Sequence, residues 1–159
     1  MATLLELEER GTLIKLRMRI DDAATRRSIY VYPEVRAWFQ QTLPTLQAFD
    51  VEDERPLNQL WTLCRAFIMG HELEDGEDFK LMHPQENDVY ELRSPDTRVY
   101  GWFVDRGIFI AARADSMERV HSLDLDGGYR AEVEYLRNTL NLDEPKYVVG
   151  ASKEYVFSI

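Results

Sequence analysis

The chain has 159 residues, 45% of them apolar and 30% charged, with a formal net charge of -10. That length supports one core-bearing domain without covalent staples, and that composition excludes a disordered chain. The single cysteine, Cys64, excludes an internal disulfide and a cysteine-built zinc centre, and the longest apolar run, 107–112, is too short to cross a bilayer.

The N-terminus carries Glu6, Glu8 and Glu9 and no apolar signal region, so a cytoplasmic protein without a membrane partner is expected. Charge is unevenly spread. Residues 50–91 hold 3 Lys/Arg against 12 Asp/Glu, whereas 1–49 hold 7 against 6 and 92–159 hold 9 against 11. Such acidity argues against non-specific nucleic-acid binding, which scales with the cations presented to phosphate.

The first segment, LLELEERGT, reads either as one arm of a hairpin or as a short helix capped by Thr3 with Glu6 three residues on. LIKLRMRI (13–20) alternates strictly and predicts a half-buried strand, with Ile14, Leu16, Met18 and Ile20 on one face. SIYVY (28–32) predicts a second strand. A helix follows over Pro33–Leu43, opened by proline at its first position and striped by Val35, Trp38, Phe39 and Leu43. The next helix, Leu57–Met69, follows Pro56, carries Leu60, Trp61, Cys64, Phe67 and Ile68 inward, and ends at Gly70.

A polar stretch with one apolar patch at Leu81–Met82 leads to a meander of 89–93, 98–104 and 108–112, with turns at SPDT and DRG. DSMERVHSLDLDGG reads as a polar connection, and Tyr129, Val133, Leu136 and Leu140 mark a third helix. KYVVGASKEYVFSI predicts one or two closing strands. The expected fold class is α+β, with helices on one face of a mainly antiparallel sheet.

The period of two sorts the meander. With Tyr90, Leu92, Val99, Phe103, Ile108 and Ile110 turned to the helices, Glu91, Arg93, Arg98, Tyr100, Trp102 and Arg113 share the opposite face. Cleavage of RNA by its own 2′-hydroxyl needs a base, a cation for the developing charge and an acid for the leaving oxygen. Glu91 fits the base, Arg98 or Arg93 the cation, and His83 or Tyr100 the acid, with Trp102 and Tyr100 as stacking surfaces. The bland alternative is structural: Glu91 pairs with an arginine, and the C-terminal strands cover Tyr100 and Trp102 as a second core. No metal-ligand spacing or phosphate loop occurs, so no cofactor is expected.

The order β, α, α, β, β, β, α and the phrases IYVYPEVRAWF, FIMG, VYELR, RVYGWFV and IFIAA resemble the RelE/HigB/ParE superfamily of toxins from type II toxin–antitoxin pairs. The resemblance covers a core of 29–142, leaving 1–28 as an N-terminal extension and 143–159 as a C-terminal strand extension of a single domain. It implies a RelE-like fold, a cognate antitoxin as partner, and the ribosome with its mRNA as target of a metal-free endoribonuclease. Arg98 matches the arginine that faces the scissile phosphate. Glu91 and Val89 stand where lysines would be, and beyond IFIAA only Arg113 and Arg119 stand in for the basic cluster. Two functions thus remain open: a RelE/HigB-like toxin, favoured by the element order, and a non-catalytic protein-binding module on the same scaffold.

Overall fold

The structure is a computed structural model that describes residues 1–150 and 152–159. Six strands form one open mixed sheet: β1 (Ile14–Lys15), β2 (Ser28–Val31), β3 (Phe79–Leu81), β4 (Tyr90–Ser94), β5 (Thr97–Asp105) and β6 (Ile108–Ser116), in spatial order β1-β2-β6-β5-β4-β3. Only β2 and β6 run parallel; the other neighbours are antiparallel. Among the described residues there are six α-helices: α1 (Leu4–Glu9), α2 (Pro33–Gln41), α3 (Pro56–Ile68), α4 (Met117–Leu123), α5 (Asp126–Thr139) and α6 (Lys153–Val156). The α+β class is as expected, and among the described residues no helix is long and apolar enough to cross a membrane.

Two helices begin where proline supplies a helical φ and gives up only an N–H that would have no partner. α2 then buries Val35 and Phe39, and α3 buries Leu60, Leu63, Cys64, Phe67 and Ile68. Cys64 lies so deep that burial pushes its thiol up to about 12, which leaves it an inert core group. α3 stops at Gly70, whose φ of 79° allows two closing bonds: Gly70 N–H to Phe67 O, and His71 N–H to Ala66 O. These helices cover one sheet face, where Tyr90, Leu92, Val99, Phe103, Phe109 and Ala111 complete a first core.

The expectation of helices on one face only is corrected. The opposite face also carries a core, in which Tyr100, Trp102, Ile110 and Ala112 lie beneath Leu7 of α1, Val120 of α4, Val133 of α5 and Leu142. A sheet apolar on both sides must be covered on both sides, and the stripe of α5 supplies much of the second cover.

Four local expectations change with it. At the N-terminus the capped helix forms: Thr3 Oγ1 accepts from Glu6 N–H at 3.2 Å. The 13–20 strand shrinks to Ile14–Lys15 because β2, its only neighbour, is four residues long, although Leu16, Met18 and Ile20 still pack on the first core. The polar loop before β4 contains β3, paired through Lys80↔Glu91, and the polar connection after β6 contains α4. The closing strands are replaced by α6, where Ser152 Oγ accepts from Tyr155 N–H at 3.2 Å. Ala151, inside that expected strand segment, lies outside the described residues. Phe157 instead enters the first core, with ring centroids 4.0 Å from Phe79 and 4.9 Å from Phe103.

Candidate functional site

Ladder register decides which side chains meet. Glu91 stands opposite Tyr100, and Tyr100 opposite Arg113; one step along, Arg93 stands opposite Arg98, and Arg98 opposite Asp115. Partners in register share a face, so the sheet brings together Glu91, Arg93, Arg98 and Tyr100, as the alternation predicts, and Arg113 joins them through an irregularity in β6. Ile110 was expected on the first face and lies in the second core. β6 is apolar on both sides, so its run IFIAA hides its own alternation. The register also shifts between Tyr100 and Gly101, where the β6 partner passes from Arg113 to Ala111 and skips Ala112.

The centre of the shared face is closed, while Arg93, Arg98 and Arg113 at its margins border grooves. Tyr100 and Trp102 have no exposed surface, Glu91 keeps 5% and Arg98 keeps 6%. Trp102 Nε1 donates to the carbonyl of Lys146 at 3.1 Å, so the 142–148 stretch lies across the indole as irregular chain and not as a strand. The start of α5 covers Tyr100. Tyr100 donates to Asp126 Oδ1 at 2.8 Å, and its ring stacks on Tyr129 at 5.1 Å. Tyr129 in turn donates to Asp115 Oδ2 at 2.6 Å.

The charges are engaged within the chain. Arg98 Nη1 donates to the carbonyls of Ser94 at 2.7 Å and Thr97 at 2.9 Å. Arg93 pairs with Glu91 at 3.2 Å and donates to Gly76 O at 2.8 Å. Arg113 holds Glu34 at 2.8 Å and Glu132 at 3.3 Å, and Arg119, on exposed α4, holds Asp115 at 3.1 Å. His83 is exposed on its loop. It borders a small cavity of about 150 Å³ with Glu91, Asp126 and Arg130, away from Arg98. Sequence reasoning missed Asp126, Asp115 and Tyr129. The signal for Asp126 was its place in the first turn of a helix, where an acidic residue meets the positive end of the dipole.

These surroundings set the acid–base properties. Burial, a hydrogen bond to Asp126 and the nearby carboxylates raise the Tyr100 phenol well above its usual range, so it is a poor proton donor. Burial and the adjacent Arg93 lower Arg98. Glu91 is raised, by burial first and Asp126 second, against the pull of Arg93, Arg98 and Lys80.

A carboxyl whose folded pKa exceeds its unfolded one stabilises the fold fully below the unfolded value, and loses that contribution as pH rises through the folded value. Glu91→Gln keeps the shape and removes the charge. It should therefore be more stable than wild type near about pH 7 and lose that advantage below about pH 4. Urea midpoints across that range check this; a difference independent of pH would contradict the buried placement of Glu91.

No family model matches the chain, and no curated protein or solved structure matches it.

Proposed function

We propose that the chain is a non-catalytic protein-binding module on a scaffold with RelE/HigB/ParE-like element order. One observation carries this reading: the aromatic centre of the arginine–tyrosine face that an endoribonuclease would need lies in the second core, with Tyr100 and Trp102 fully buried. RNA has no path to Tyr100 or Trp102 while α5 and the 142–148 stretch stay in place, and Arg98, which borders a separate groove beside α3, spends its Nη1 on the carbonyls of Ser94 and Thr97. The acidic exterior of a chain of net charge -10 supports the same conclusion, since it repels a polyanion and draws cationic partners.

A second reading has one specific support, the shared register of Glu91, Arg93, Arg98, Tyr100 and Arg113. On that reading the chain is a RelE/HigB-like toxin silenced by an antitoxin, and α5 must lift before mRNA on the ribosome is cut.

The two are separated by incubating the chain with mRNA-programmed ribosomes and mapping 5′ ends. The binding reading predicts intact mRNA and no growth arrest on expression. Cleavage that Arg98→Ala abolishes, in a protein that remains folded, would establish the toxin reading and overturn the first.

A further inference from the structure

The parallel pair at the centre of the sheet is shorter than β6. β2 accompanies β6 only as far as Val31↔Ala111; Tyr32 N–H closes the ladder on Ala111 O, and Pro33 then carries the chain away as α2. β6 continues to Ser116, paired with β5 on its other side through Thr97↔Ser116. Residues 113–115 are therefore a strand with one neighbour, in the interior of a six-stranded sheet rather than at its rim.

A groove of about 650 Å³ occupies the place β2 leaves, between α2 and α5. That volume lies within the roughly 300–1,000 Å³ of ordinary ligand sites. Arg113, Ala114 and Asp115 all line it. Successive strand residues point to opposite faces, so three in a row border one groove only where the strand is approached edge-on. Trp38 of α2 and Tyr129 of α5 form its aromatic walls, and Glu34 and Glu132 its outer rim. Both rim carboxylates are well exposed, at 72% and 50% of their side chains.

We propose that this groove docks an extended, basic peptide segment of a protein partner, which joins the sheet as a strand along 113–115. The inference rests on the protein-binding reading and names the partner's chemistry. An open strand edge presents the backbone groups of alternate residues, and the ligand that matches them is another extended backbone; at the two ends of this edge Ala112 O accepts from Arg113 Nη1 and Ser116 N–H donates to Asp115 Oδ1. The sign of the ligand follows from the lining. Arg113 is matched by Glu34 and Glu132, and Arg119 by Asp115, so two cations face three carboxylates. An acidic segment meets a site already supplied with carboxylates. A lysine or arginine adds the missing cation at the rim and lays its aliphatic stem on Trp38 or Tyr129.

The test uses the full chain and three labelled peptides. One alternates lysine and valine, a second alternates glutamate and valine, and the third is the lysine peptide with every second amide N-methylated. The lysine peptide should bind, with amide NMR shifts concentrated at 113–115 and at the Trp38 indole, and the glutamate peptide should not. N-methylation removes the strand-forming donors without changing side chains and should weaken binding about tenfold. Glu34→Gln combined with Glu132→Gln, both on exposed helix surface, should weaken it about fivefold while circular dichroism shows the fold retained. The proposal is overturned if no peptide binds, if the N-methylated peptide binds as well as its parent, or if the shifts fall on the acidic 50–54 and 72–78 loops. It is also overturned if 113–115 prove to be covered by a second copy of the chain. Intact ribosomal mRNA alongside any of these results leaves the protein-binding reading standing; cleaved mRNA removes the reading itself.

Discussion

Gly101→Ala should strongly destabilise the centre of the sheet. Gly101 sits in β5 where the pairing with β6 shifts register, opposite Tyr90 on one side and Ala111 on the other. A Cβ built there would lie 1.8 Å from the carbonyl oxygen of Ile110 and 2.8 Å from its carbon, with the Phe109 ring at 2.9 Å. Backbone of a central strand cannot retreat as a flexible side chain does. The cost should therefore reach or exceed the upper end of ordinary overpacking, about 3 kcal/mol. For a chain of this size that lowers Tm by roughly 6–12 °C. A thermal melt followed by circular dichroism checks it, and a Tm within about 2 °C of wild type would mean that β5 and β6 do not meet as described.

Trp102→Ala should cost nearly as much, for a different reason. The indole is fully buried in the second core, near Tyr32 with centroids 6.3 Å apart, and its Nε1 satisfies the carbonyl of Lys146. Truncation leaves a large cavity and an unpaired carbonyl, together about 3–5 kcal/mol. Trp102→Phe, which retains most of the volume, should recover more than half of the loss. The size of the effect is informative, because a residue on an open ligand-binding surface would change stability by only about 0.5 kcal/mol. Denaturant unfolding of the two variants separates these cases.

The elements that were legible in the sequence were those with two agreeing signals. α2 and α3 combine proline at the first position with a helical stripe, and β4 and β5 combine strand-forming composition with the SPDT turn. Elements with one weak signal were misread. α6 is only four residues long, and its β-branched and aromatic neighbours suggest strand until Ser152 is recognised as a cap. β3 is three residues long, below the length at which alternation can be seen. In β6 both faces are apolar, so Ile110 was turned the wrong way.

The candidate site divides along the same line. Period two was enough to place Glu91, Arg93, Arg98 and Tyr100 on one face, because that is a local property of strands, whereas Arg113 joins them only through the skip at Ala112. What lies over them is not local. The stripe of Tyr129, Val133, Leu136 and Leu140 shows that α5 buries one side, but no periodicity names the surface it is buried against. The same gap hid the edge at 113–115. It arises from the difference in length between β2 and β6, which is visible only once their pairing is known.

Hydroxyl-radical footprinting of the native chain reports whether solvent reaches Tyr100 and Trp102. Tyr135, at 68% exposure, and Phe49, at 79%, should oxidise readily, and Tyr100 and Trp102, with none, should stay unmodified until the protein is unfolded. Oxidation of Tyr100 and Trp102 in the folded protein at rates close to that of Tyr135 would mean that α5 and the 142–148 stretch do not cover them, and would restore the arginine–tyrosine face as a working surface.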